Sequence, residues 1–281
     1  VNIAKEFVVK RTSKKTSART QSAPAQAAAP SAEPGEIRQH TFRYLGIILV
    51  LPFLAHFLGA YVIAVATAFV SPTAAAYLHA NAWLATGFSY AAFLLFTLFY
   101  LRSSLEPMAR YGWTWSTAKL GVAIGIGVAS GILMYATDLA FPGTYTLPPA
   151  TIIGVVAALI GVIVLPALFE ELLFRGVIQS FYQRVTKGTI EIGEWQVPVA
   201  VFIASGFEVL FHLAFPVYFN FFGGGLGATV LGTVPQLVYV AIFGAIGGYL
   251  YSRTGSLVAP IAVHAVGNLT ELSIIWIVAA L

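Results

Sequence analysis

From Tyr44 onward the chain alternates long apolar runs with short polar connections, and seven runs are long enough to cross a membrane. Their approximate limits are 44–70, 82–101, 117–141, 151–176, 197–215, 226–251 and 256–280. At 1.5 Å per helical residue, each covers the roughly 30 Å of a bilayer's hydrocarbon core. Pro52, Gly125, Gly127, Gly131, Pro166, Pro235 and Pro260 interrupt them. Such residues penalise a soluble helix but are tolerated in membrane helices, where they permit close packing and kinks. The pattern predicts an all-α polytopic transmembrane bundle of seven or eight helices, with no internal repeat.

Residues 1–40 read differently. They are rich in Lys, Arg, Ser, Thr, Ala, Gln and Pro, and Ala23–Pro34 is nearly all Ala, Pro, Ser and Gln. That composition predicts a disordered basic tail, leaving 41–281 as the membrane domain. The remaining basic residues set orientation. The tail to Arg43 carries eight; the second, fourth and sixth connections carry Arg102, Arg110 and Lys119, then Arg184 and Lys187, then Arg253; the first, third and fifth carry none. With seven spans, the positive-inside rule places the N-terminus in the cytoplasm and the C-terminus outside. The Ala-rich basic composition suggests a bacterial inner membrane.

Composition agrees. Of the residues, 58% are apolar and 9% charged, with a mean hydropathy of +0.84, too few charges to cover a water-soluble globule of this size. The net charge of +4 is accounted for by topology, because no basic stripe with interleaved aromatics points to nucleic acid. Cysteine is absent, which removes thiolate catalysis and Cys-based metal sites. Chemistry must run on Glu, His, Asp, Arg or a hydroxyl.

The ionisable groups that stand out inside the spans are few: His56, Glu170, Glu171, Arg175, Glu208, His212, His264 and Glu271. Such groups are costly in a membrane and usually functional. A spacing of four, which brings side chains onto one helix face, recurs in Glu171/Arg175, Glu208/His212 and His264/Asn268. Three helices therefore each present a polar pair inward. A salt bridge accounts for Glu171 and Arg175; Glu170 projects about 100° away and needs another partner, which makes it the candidate general base. Asn268 can hold the His264 ring or donate to an oxyanion. Glu271 is either a supporting group on nearly the same face as His264 or a carboxylate near a pore or outer surface. His56 lacks a partner at helical spacing and reads as structural. Gly223–Gly227 reads as a flexible turn. His-Glu-x-x-His, Walker and dinucleotide-binding motifs are absent.

These residues resemble the CAAX prenyl protease and bacteriocin-processing family, also called Abi proteins, over about Leu165 to Asn268. Its Glu-Glu-x-x-x-Arg motif stands here as Glu170, Glu171 and Arg175, followed by Gly176. Its last motif is similar to Thr254-Gly255-Ser256-Leu257, then Pro260 and His264-Ala265-Val266-Gly267-Asn268. In its Phe-x-x-x-His motif His212 is in place, but Glu208 stands where the family carries Phe. The resemblance implies a metal-independent intramembrane glutamic endopeptidase that needs no cofactor and cleaves a membrane-associated peptide or protein. Glu170 and His212 would activate water, His264 and Asn268 would stabilise the oxyanion, and Glu171 and Arg175 would orient and charge-balance the base. Glu208 and Glu271 are possible modulators.

Three alternatives stand beside this reading. The Glu208 substitution favours a non-proteolytic scaffold, immunity or regulatory protein with the same fold. A relay through Glu170, Glu208 and Glu271 would suit a proton-coupled transporter. Glu170, His212 and His264 would suit a catalytic zinc. Depth provides an internal check. Straight helices leave Glu170 near one end of its span and His212 about 14 residues, or roughly 20 Å, along the next. Their meeting requires the fourth helix to run past Arg175 toward Arg184, or residues 193–198 to fold inward, around a water-filled cavity open to the cytoplasm.

Overall fold

The computed structural model describes residues 34–65, 69, 71, 73, 82–104, 106–140, 151–223 and 227–281. The expected tail up to residue 33, the centre of the Gly223–Gly227 turn and the side chain of His56 lie outside the described residues. Seven long helices stand among those described. They are α1 (Pro34–Val65), α2 (Ala82–Ser103), α3 (Leu120–Ala140), α4, α5 (Val199–Gly223), α6 (Gly227–Thr254) and α7 (Val258–Ala280). Helix α4 is built from five stretches that follow without a break: Ile152–Ala158, Leu159–Val164, Leu165–Glu171, Leu172–Gln179 and Ser180–Val185. Residues 34–40, grouped with the tail by composition, form the first turns of α1.

The chain is an all-α integral membrane protein. Among the described residues, Leu120–Thr137, Gly154–Val185, Val234–Thr254 and Val258–Ala280 are long and apolar enough to span a bilayer, and Val199–Ala214 is a shorter apolar helix. Many large apolar side chains point outward, Leu95, Phe96 and Phe99 among them, as expected of a bundle whose solvent is lipid.

Because lipid tails do not drive apolar helices together, close backbone approach must. Helices α3 and α7 meet in this way. A Cβ on Gly127 would lie 2.8 Å from the Val266 Cβ and 2.9 Å from the Val263 carbonyl, and one on Gly131 would strike the Gly267 carbonyl and Thr270. Gly87 of α2 and Gly161 of α4 make a similar approach, 3.0 Å from an added Cβ to the Gly161 Cα.

The connection from α4 to α5 departs from the all-helical expectation. It forms an antiparallel hairpin of β1 (Thr189–Ile192) and β2 (Trp195–Pro198), with Ile190 opposite Val197 and Ile192 opposite Trp195. Gly193, at φ +58°, supplies the left-handed turn residue. Trp195 stacks on Tyr249 of α6, ring centroids 5.8 Å apart. At the same end of the bundle, the Leu257 amide donates to the Gly112 carbonyl (2.9 Å), and Ser256 Oγ donates to the Thr114 carbonyl (2.5 Å). These bonds clamp the Thr254–Leu257 turn, whose Gly255 sits at φ +63°, and fix where α7 begins.

Candidate active site

Helix α4 carries the site, and its backbone is widened on both sides of it. Leu159–Val164 and Leu172–Gln179 are π-helical, a geometry that often marks functional positions because it re-aims side chains. Pro166 contributes. Lacking an N–H, it cannot meet the carbonyl four residues back, that of Val162. Asn268 Nδ2 of α7 donates to that carbonyl instead, at 3.2 Å.

Glu170, Glu171 and Arg175 are almost completely buried. Arg175 Nε lies 3.0 Å from Glu171 Oε2, as the spacing of four anticipates. Its Nη1 lies 2.9 Å from Glu208 Oε2 of α5, and its Nη2 donates to the Gly244 carbonyl of α6 at 3.0 Å. One turn on, Gln179 Nε2 donates to the Gly248 carbonyl at 2.8 Å. The guanidinium thus joins three helices, and the glycines of α6 make the room. A Cβ at Gly244 would strike Glu208 Oε2, and one at Gly247 would come within 3.3 Å of Arg175 Nη2. Glu208 therefore turns its carboxylate to Arg175 and not to His212, contrary to the inward pair expected on α5. The His212 ring instead meets the backbone of Glu208, Nδ1 donating to that carbonyl at 3.0 Å.

With Nδ1 engaged, His212 presents Nε2 to Glu170, 3.8 Å from Oε2. His264 is held similarly. Its Nδ1 lies 3.1 Å from Glu171 Oε1, and its Nε2 lies 3.9 Å from Glu170 Oε2. The other oxygen of Glu170 accepts a hydrogen bond from the Tyr90 hydroxyl of α2 at 2.8 Å. The carboxylates are sealed, whereas the side chains of His212 and His264 keep 19% and 18% exposure, so the site opens on the imidazole side. Behind it, Phe169 and Phe211 pack together, centroids 6.2 Å apart, and Phe211 meets the His212 ring edge-on. This wall keeps the back of the site dry.

The depth problem is resolved by the ends of the helices. Helix α4 runs past Arg175 to Val185, which leaves Glu170 about 15 residues, or roughly 22 Å, from that end. Helix α5 starts only at Val199, after the hairpin, which places His212 about 13 residues, or roughly 20 Å, from the same end. Tyr90 stands at a similar depth before the end of α2 at Ser103.

Of the residues singled out by sequence, Glu170, Glu171, Arg175, His212 and His264 converge, and Glu208 joins them through Arg175. Asn268 bonds the Val162 carbonyl; its reach to the His264 ring is not among the contacts formed. Glu271, seven residues beyond His264, is partly buried where α7 meets α3 at Gly131. Tyr90 was missed, since a tyrosine in an apolar span carries no spacing signal. Among the described residues, no group of three or more His, Asp or Glu is disposed to hold a metal ion.

Residues 151–270 match the family model for type II CAAX prenyl endopeptidase Rce1-like proteins, in line with the family resemblance of the motifs. No curated protein and no solved structure gave a significant match.

Proposed function

We propose that this chain, whose residues 151–270 match the family model for type II CAAX prenyl endopeptidase Rce1-like proteins, is an intramembrane glutamic endopeptidase with Glu170 as its general base. The observation that carries the reading is the convergence of one unbonded carboxylate oxygen, Glu170 Oε2, with His212 Nε2 at 3.8 Å and His264 Nε2 at 3.9 Å. These separations are too long for direct hydrogen bonds and short enough for groups that share a water.

In this reading the water gives a proton to Glu170 while its oxygen adds to the scissile carbonyl carbon. His212, with Nδ1–H held by the Glu208 carbonyl, accepts the water's second hydrogen bond and orients the attack. The carbonyl oxygen takes the electron pair. When His264 carries both ring protons, it donates from Nε2 to this oxyanion, and Asn268, one of whose amide hydrogens is given to Val162, supplies the other. Collapse of the adduct breaks the C–N bond, and the proton held by Glu170 goes to the departing amine. Glu171 fixes the His264 ring and Arg175 at once. The substrate is a peptide or protein presented at the membrane, a prenylated C-terminus being the class that the family's name indicates. The basic ends of the helices face the cytoplasm, and the site is reached from that side.

The experiment is cleavage of a fluorogenic farnesylated CAAX peptide by detergent-solubilised protein, wild type against Glu170→Gln. Loss of general-base assistance predicts a fall of roughly 10²-fold or more in kcat, with wild-type cleavage persisting after exhaustive chelation. Equal rates for the two proteins would sink the mechanism, and abolition by chelator would replace it with a metal-dependent one.

A further inference from the structure

The match to the family model begins at residue 151, yet one contact to the candidate base comes from far upstream. We propose that Tyr90, on α2, is a positioning residue for Glu170, so that the working site includes a helix outside the matched segment. The inference rests on the peptidase reading for its catalytic meaning and on geometry for everything else.

A glutamate has two equivalent oxygens and a freely turning terminal torsion. Here the oxygens are made different. Oε1 accepts from the Tyr90 hydroxyl at 2.8 Å, whereas Oε2 has no hydrogen bond and faces both imidazoles. Among the described contacts, no other surrounding group holds Oε1 in place. Glu171 and Arg175, on the same helix, are committed to each other and to His264 and Glu208. His212 and His264 both approach Oε2. Tyr90 alone among the described contacts holds Oε1. Without it the carboxylate can turn, and the lone pair aimed between the imidazoles loses its fixed direction.

Tyr90 is itself held. Its ring stands edge-on to Phe169, centroids 5.7 Å apart, and Phe93, one turn later, also packs on Phe169 at 5.7 Å. One turn earlier, the Gly87–Gly161 approach sets α2 against α4. A tyrosine fixed at both flanks of its own helix presents its hydroxyl with little remaining freedom.

Two spectroscopic readings test this, and neither needs a substrate. The infrared carboxylate bands of Glu170 are defined by the difference between wild type and Glu170→Gln. In Tyr90→Phe, with circular dichroism unchanged, those bands should shift as Oε1 loses its donor. Where Tyr90→Phe fails to fold, 3-fluorotyrosine at position 90 of the otherwise intact chain serves instead, and its fluorine resonance should move in Glu170→Gln. With the farnesylated peptide, Tyr90→Phe should lower kcat by about tenfold, the worth of one well-placed hydrogen bond, and leave KM unchanged. An unshifted carboxylate band in folded Tyr90→Phe, or an unmoved fluorine resonance, overturns the proposal. A wild-type protein that cleaves nothing overturns the peptidase reading, while the band and resonance shifts still decide whether Tyr90 positions Glu170.

Discussion

Arg175 is the residue on which the site turns, because one guanidinium faces two buried carboxylates, Glu171 at 3.0 Å and Glu208 at 2.9 Å. A buried pair that loses one partner leaves an uncompensated charge, at a cost of roughly 3–5 kcal/mol. Arg175→Met strands two carboxylates, so it should destabilise the protein by at least that much. Glu208→Gln leaves Arg175 neutralised by Glu171 and still bonded to the Gly244 carbonyl, and should cost about 1 kcal/mol. Unfolding in mixed micelles measures both, and a reversed order would mean that Glu208 dominates the cluster. The Glu171–Arg175 half of this arrangement was legible in the sequence, because a spacing of four on one helix is a local rule. The Glu208 half was not. The same rule, applied to α5, pairs Glu208 with His212, and only the glycine at 244 on a different helix shows why the carboxylate goes the other way. Tyr90 belongs to the same class of long-range contact.

At the scale of elements, α3 contains its own control. Gly131 packs against the backbone of α7, where a Cβ would strike the Gly267 carbonyl and lie 3.0 Å from the Glu271 amide, whereas Gly125, on the same helix, has open space around it. Gly131→Ala should force α7 away and destabilise by about 1–3 kcal/mol, the usual cost of overpacking. Gly125→Ala should be neutral or slightly stabilising, because alanine is the better helix former. Melting in detergent compares them, and equal effects would place the α3–α7 contact elsewhere. Since α7 carries His264, the Gly131 variant should also lose activity faster than stability. The extent of α2 followed from apolar run length, expected at 82–101 and found at Ala82–Ser103, whereas α1 begins at Pro34, ahead of its run at 44, and α4 continues past 176 to Val185. The hairpin was missed although its signal is present. Ile190 and Ile192 alternate with Glu191, and Trp195 and Val197 with Gln196, around Gly193-Glu194. In a chain dominated by apolar runs, eight amphipathic residues read as a connection.

For the whole molecule, the ordering of ends carries the argument. The connection before α3 is tied to the turn before α7 by the Gly112–Leu257 bond and the Thr114–Gly255 bond (3.1 Å), and the hairpin is tied to the end of α6 that leads into that turn by the Trp195–Tyr249 stack. The start of α1 joins the same end, since Thr41 Oγ1 lies 2.6 Å from the Tyr182 hydroxyl. That end holds Arg110, Lys119, Lys187 and Arg253, the residues that the positive-inside rule keeps in the cytoplasm. Helix α7 leaves from it and runs to Ala280, about 34 Å at 1.5 Å per residue and enough to reach the other surface. Because the chain has no cysteine, each side can be interrogated with a single introduced thiol. In sealed inside-out vesicles, an impermeant maleimide should label Glu191→Cys, on the polar face of the hairpin, and should reach Leu281→Cys only after the vesicles are opened. Right-side-out vesicles should reverse the pattern. Labelling of both positions from one side would require an even number of crossings between hairpin and C-terminus. It would also remove the reason for placing access to Glu170 and His212, some 20 Å in from the basic end, on the cytoplasmic side.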